Sequence, residues 1–187
     1  KVLIVGGGAA GMFASVWAAR NGHEVLLFEK NDRLGRKLFI TGKGRCNITN
    51  ACEDIETLFS SVTSNSKFLY SGFYGFTNQD AIAFFEELGV RTKVERGDRV
   101  FPVSDHSSDV IRALEREMDR QGVQIYLKTS VKKLQIEDKK VVGIVLQNGQ
   151  KVLGDACIVA TGGLSYPITG SDGDGLEFAK KAGHKVT

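Results

Sequence analysis

The sequence lacks any apolar run near the length of about eighteen residues that a membrane-spanning helix needs, so no membrane partner is expected. It is poor in cysteine: Cys46, Cys52 and Cys157 are too few and too irregularly spaced for a disulfide scaffold or a zinc site. It lacks a strong charge as well. A net +3 over 187 residues, with lysines and arginines interleaved with acids, gives no case for a nucleic-acid surface. No signal peptide precedes the first apolar segment, so the sequon at Asn47-Ile48-Thr49 has no secretory context and a cytoplasmic protein is expected. The 42% of hydrophobic residues is enough for the core of about one domain.

The stretch that carries chemistry is the first thirty residues. Val2 to Val5 is an apolar, β-branched run suited to a strand buried on both faces of a parallel sheet. Gly6, Gly8 and Gly11 follow in the pattern G-x-G-x-x-G. Such glycines serve a tight turn, close approach of a pyrophosphate to the backbone, and close helix-to-strand packing. A helix from about Ala9 to Asn21 then aims its free N–H groups and positive dipole end at that phosphate, and Gly22 stops it. A second apolar strand, Glu24 to Phe28, ends on Glu29. That is where the fingerprint places a carboxylate for a ribose, and an acid there repels a 2′-phosphate, which argues against NADP in this particular site.

From Lys30 to Asn50 the chain is rich in Gly, Asn and basic residues and has no sustained period, so a long functional loop is expected. Its cations are Arg36, Lys37, Lys43 and Arg45. Asn78 to Leu88 has helical spacing closed by Gly89, and Arg91 to Val103 reads as a hairpin about Gly97-Asp98. Ser107 or Ser108 is expected to cap a helix whose Val110, Ile111, Leu114 and Met118 form one apolar stripe. Val123 to Leu127 reads as a short strand. Val131 to Leu153 then alternates with turns at Asp138-Lys139 and Asn148-Gly149, an antiparallel three-stranded meander. Ala156 to Ala160 is expected to be another buried strand, whose trailing Thr161, Gly162 and Gly163 face the same crevice as Gly6 to Gly11. A short helix from Leu176 to Ala182 follows a glycine loop in which Asp172 and Asp174 are either caps or acceptors for a polyol. The fold class is therefore α/β: a Rossmann-like dinucleotide-binding domain with a central parallel sheet and an antiparallel meander crossover.

Glycine triplet, Glu29, meander and Ala160-Thr161-Gly162-Gly163 together resemble the flavoproteins with two dinucleotide-binding domains. More narrowly, LGRKLFITGKGRCNITN (34–50), DRVFPVSD (98–105) and ATGGLSYPITGSDGDG (160–175) resemble the BaiN/YhiN-type family of FAD-dependent oxidoreductases. The likeness spans nearly the whole chain and departs from the family pattern at Lys43, where a glycine is usual, and at Asp172, where a threonine is usual. The resemblance implies FAD as cofactor, with Gly6, Gly8 and Gly11 on the pyrophosphate and Glu29 at the adenosine ribose, and with Ala10, Lys30 and Ala160 as further cofactor-binding residues. It places Arg36, Lys37, Gly44, Arg45 and Cys46 on the pyrophosphate and flavin side, Val131 at the adenine through its backbone, and Thr161, Gly162 and Asp174 closing the site. Such proteins continue with an inserted substrate-covering domain and a returning C-terminal segment, so residues 1–187 are expected to be an FAD-binding domain excised from a longer chain.

The expected activity is hydride or electron transfer between a donor, NAD(P)H or an organic compound, and a small-molecule acceptor, with Lys43 and Arg45 placed to stabilise anionic reduced flavin. One alternative is a disulfide oxidoreductase using Cys46 and Cys52, although five residues separate them where such redox pairs have four. Others are a non-enzymatic flavin- or nucleotide-binding module and an FAD-linked RNA-modifying enzyme, against which the scattered charge argues. No residue stands out as a general base, and the sequence gives neither the substrate nor the oligomeric state.

Overall fold

The computed structural model describes residues 1–186. They fall into two units, one made of Lys1–Leu38 and the chain from Leu114 onward, the other of Phe39–Ala113. The first unit begins with strand β1 (Val2–Val5), helix α1 (Ala9–Arg20) and strand β2 (Val25–Phe28). Gly22 ends α1 in the left-handed region at φ +81, a conformation that favours glycine. The stretch expected to be irregular instead winds into a short helix α2 (Arg36–Ile40) and a 3-10 turn, Thr41–Gly44. Five helical residues are too few to show a period in sequence.

The second unit contains β3 (Thr49–Asn50), α3 (Ile55–Ser60), α4 (Ser66–Gly75), α5 (Asn78–Glu87), β4 (Thr92–Glu95) and β5 (Arg99–Pro102). The β4–β5 hairpin turns through Gly97 and Asp98, both at positive φ, and β3 adds to the other edge of β5. Thr77 caps α5 in a reciprocal capping box with Asp80. Helix α4 buries none of its residues fully, and the rings of Tyr70, Phe73 and Tyr74, which share one face at i, i+3 and i+4, gather around buried Phe59, with Tyr70 4.4 Å away between centroids.

Helix α6 (Ser107–Arg120) leads on to β6 (Gln124–Tyr126), β7 (Val131–Glu137), β8 (Lys140–Leu146), β9 (Lys151–Leu153), β10 (Ala156–Val159) and α7 (Asp174–Lys181). Within the second unit the Ser107 hydroxyl donates to the Phe39 carbonyl at 2.7 Å, so it anchors the helix start to another segment where a cap was expected. Strands β10, β1, β2 and β6 form a four-stranded parallel sheet in that order, and β7, β8 and β9 form the meander. Leu3, Val5, Leu26 and Phe28 alternate onto the face that Ile144 and Leu146 of β8 and Phe178 of α7 cover. Ile4 and Leu27, paired in register and fully buried, fall on the opposite face, where α1 packs with buried Met12 and Val16. Strand β10 is not the buried strand the sequence suggests. It ends the strand order, so Ile158 and Val159 stay 38% and 39% exposed. Among the described residues no helix is long and apolar enough to cross a membrane.

Candidate nucleotide site

In the first unit the carboxyl ends of the four parallel strands come level. Gly6 N–H donates to Phe28 O at 2.8 Å, Ala160 N–H to Val5 O at 2.8 Å, and Glu29 N–H to Tyr126 O at 2.9 Å. Gly6 turns at φ +106, and a Cβ there would lie 2.5 Å from the Ala160 carbonyl oxygen. A Cβ on Gly11 would lie 1.8 Å from the Gly6 carbonyl oxygen, so helix α1 leaves the strand at a distance only glycine permits. Gly8 differs. A Cβ there meets nothing within 4 Å, so its side of the turn is open space. Gly8 is also the N-cap of α1, which has no side-chain cap and no acid in its first turn, and the amides at Ala9, Ala10 and Gly11 therefore present an uncompensated positive end.

Glu29 is 7% exposed and fixed by three N–H donors: Gly7 at 2.7 Å on one oxygen, and the Asn31 backbone and side chain, each at 2.7 Å, on the other. A carboxylate offers about four acceptor positions, so one remains for a hydroxyl. Two contributors here were not picked out in the sequence. Asn31 follows the acid by two, the spacing at which the Glu29 carboxylate reaches the backbone N–H of the residue two further on, and that spacing was the available signal. Gly7 looks like the free position of the motif, but a Cβ there would meet Leu34 Cδ2 at 2.3 Å, a constraint that appears only once Leu34 has folded back, with Gly35 N–H donating to Gly7 O at 2.8 Å.

The loop after β10 closes on the same end of the sheet. Lys30 Nζ donates to both Asp172 oxygens at 2.7 and 2.6 Å and to Asp174 at 2.9 Å. Burial disfavours the charged lysine, but the two carboxylates outweigh it and hold Lys30 above its ordinary range, while the same contact pulls Asp172 below the usual carboxylate range. Asp174 opens α7 and Asp172 precedes its N-cap Gly173; both side chains go to Lys30, so neither acts as a cap. Arg36 donates to the Asn31 side-chain oxygen at 2.8 Å and Lys37 to the Ser165 hydroxyl at 3.1 Å. Thr161 sits against the first turn of α7, where a Cβ on Gly175 would be 2.4 Å from its hydroxyl, and that Oγ1 is buried without a hydrogen-bond partner. Gly162, at φ +74, lies against Ser171. Val131 opens β7 just beyond Thr129, whose N–H donates to Glu29 O at 2.9 Å. Gly6, Gly8, Ala10, Gly11, Glu29, Lys30, Arg36, Lys37, Val131, Ala160, Thr161, Gly162 and Asp174 thus all belong to the first unit.

Gly44, Arg45 and Cys46 belong to the second unit. Gly42, Lys43 and Gly44 are three successive left-handed residues, and Cys46 is left-handed too, at φ +61. Arg45 binds Glu95 and Asp105, the latter at 2.7 Å, with Lys93 joining Asp105 at 2.7 Å, and it lies 4.2 Å over the Phe101 ring. The hydrogen bonds to Arg45 hold Glu95, and those to Lys93 and Arg45 hold Asp105, below their usual range. Arg45 is thus one member of a neutral four-charge group and brings no net charge to a ligand. Cys46 is buried, which pushes its thiol up against a smaller opposing contact with Thr41; the Cys52 thiol donates to Asp54 O at 3.3 Å. The two thiols have different partners, and both are free.

Comparison with known proteins extends this geometry. The family described as the HI0933-like protein Rossmann domain matches residues 1–187. The chain is 35% identical over its whole length to a 3-dehydro-bile acid delta(4,6)-reductase of Clostridium scindens, and 32% identical over 98% of its length to a ribosomal RNA dihydrouridine synthase of Haemophilus influenzae. It spans 45% of each of those relatives. Among solved structures it is similar to the open conformation of a flavocytochrome c3 fumarate reductase, at TM-score 0.68 and 25% identity over 97% of this chain and 40% of that one. A 3-ketosteroid-delta4-(5alpha)-dehydrogenase from Rhodococcus jostii RHA1 shares the fold, at TM-score 0.68 and 18% identity over 88% of this chain and 46% of that one. The chain belongs to the HI0933-like Rossmann-domain family, the BaiN/YhiN type of FAD-binding oxidoreductases.

Proposed function

We propose that this chain is the FAD-binding part of a cytoplasmic oxidoreductase that takes hydride from a reduced nicotinamide and delivers it to a small organic acceptor whose carbon–carbon double bond is conjugated to a carbonyl. The observation that carries the reading is the opening at Gly8, with the uncapped first turn of α1 behind it and Glu29 at the end of β2. The residues fit FAD. The open backbone and helix end suit a pyrophosphate, the remaining acceptor position of Glu29 suits a ribose hydroxyl, and the unpartnered Thr161 Oγ1 suits a polar ligand atom. The chemistry FAD supplies when bound is hydride transfer, and the part of these residues is to bind and orient it. The acceptor class rests on the relatives' names, since a 3-dehydro delta(4,6) bile acid and a uracil ring both present a double bond conjugated to a carbonyl.

That two relatives are named as ribosomal RNA dihydrouridine synthases favours a second reading, in which the acceptor is a uridine within RNA. The two readings part in a binding assay: an RNA substrate requires affinity that falls steeply with salt, whereas a small acceptor does not. The first test is the visible spectrum of the purified chain and of a full-length protein containing it. Flavin bands that bleach anaerobically with NADH or NADPH and return on adding a conjugated enone support the proposal. A protein colourless even after incubation with FAD would sink it.

A further inference from the structure

Lys30 is the cation nearest in sequence to Glu29, and in a site of this type a basic residue in such a place could receive a 2′-phosphate. Here it is already spent. Its ammonium is shared by two carboxylates at 2.6 to 2.9 Å, brought over by the loop that ends β10. The same loop is fastened to the residue after Lys30, since Asn31 Nδ2 donates to Thr169 O at 3.1 Å while also donating to Glu29. Gly170 packs so closely that a Cβ there would lie 3.2 Å from Lys30 Cε and 2.7 Å from Asn31 Nδ2. Two acids against one lysine leave that cluster at −1, and Glu29 beside it is offset by the Arg36 guanidinium held on Asn31, so the adenosine end of the site stays at −1. A ribose hydroxyl needs one acceptor, which Glu29 retains. A 2′-phosphate, carrying about −1.5 to −2 at neutral pH, would meet Glu29 on one side and the two aspartates on the other, with the Lys30 ammonium withheld from it.

We propose that Asp172 and Asp174 act through Lys30 as a specificity filter, which sequesters the one lysine at the ribose end and excludes 2′-phosphorylated adenosine from the nucleotide site. The proposal rests on the nucleotide reading above and goes beyond Glu29. It assigns discrimination to two acids more than 140 residues further along the chain.

The test is calorimetric titration of the chain with ADP-ribose and with 2′-phospho-ADP-ribose, which differ only by that phosphate. The wild type is expected to favour ADP-ribose by about a hundredfold, since juxtaposed like charges cost several kcal/mol. Asp172→Asn with Asp174→Asn is expected to narrow that preference at least about tenfold, and Lys30→Met to widen it. A merely structural role for the cluster would weaken both ligands together in all variants, so opposite movements of the ratio are its distinguishing mark. Equal binding of the two ligands by the wild type overturns the filter and leaves the nucleotide site standing, as does a ratio unmoved by either variant. Binding of neither ligand overturns the filter and the nucleotide reading together.

Discussion

At the scale of single residues, the glycine motif separates into two physical roles that spacing alone does not distinguish. Gly11 is required by packing, because its Cβ would lie 1.8 Å from a carbonyl oxygen, whereas Gly8 is required by nothing in the protein itself. Gly8→Ala is therefore expected to leave the melting temperature within about 2 °C of the wild type and to weaken FAD binding at least about tenfold, since the methyl occupies the space meant for ligand. Gly11→Ala is expected to destabilise the fold by about 2 kcal/mol or more, as overpacking does. Thermal melts and flavin titrations of the two variants read both outcomes. Lys43 holds a left-handed conformation, φ 58 and ψ 40. Left-handed geometry costs an L-residue about 1–2 kcal/mol, partly offset by the entropy glycine loses on folding. Lys43→Gly should thus stabilise the protein by about 0.5–1 kcal/mol in urea unfolding, and a loss of stability would show that the lysine side chain makes up for its backbone.

At the scale of elements, α1 and α6 are joined through one buried carboxylate. Glu117 of α6 accepts from Arg20 of α1 at 2.8 Å, from Arg120 at 2.7 and 2.9 Å and from Gln121 at 3.1 Å, and its side chain is 3% exposed. Hydrogen bonding to Arg120 first, then to Arg20 and Gln121, outweighs burial and brings the carboxyl down to about 2. An unfolded glutamate titrates near 4.5, so the folded state gains from Glu117 fully above that pH and loses the gain as pH falls toward 2. Glu117→Gln is expected to cost roughly 2 kcal/mol at pH 7, the worth of hydrogen bonds to a charged group. The gap between variant and wild type should close on acidification through that window, and a pH-independent gap in denaturant midpoints would refute the account. In sequence Glu117 and Arg120 look like an ordinary surface pair three residues apart; the second arginine comes from a distant helix. Helices α3 and α4 were not picked out in the sequence, although Tyr70, Phe73 and Tyr74 stand at i, i+3 and i+4, and their partner Phe59 comes from the neighbouring helix.

At the scale of the whole molecule, ligand linkage gives a direct prediction. A ligand that binds only the folded state at a hundredfold excess over its Kd adds about 2.7 kcal/mol, and at about 2–4 °C per kcal/mol for a chain of this size FAD should raise the melting temperature by roughly 5–10 °C. A scan with and without FAD measures it, with FMN as the control that lacks the adenosine half for which Glu29 is placed.

The sequence by itself determined the order of strand, glycine turn, helix and acid, and the antiparallel meander. These features are local: periodicity, turn chemistry and motif spacing act within a few residues and survive reading the chain as a string. The tertiary structure alone decided that Gly7 is closed by Leu34, that Arg45 is neutralised by Glu95 and Asp105, that β10 lies at the end of the strand order, and that Lys30 answers to Asp172 and Asp174. In each case the deciding partner lies far away in sequence, and a charge or a packing contact takes its meaning from the neighbour that folding brings to it.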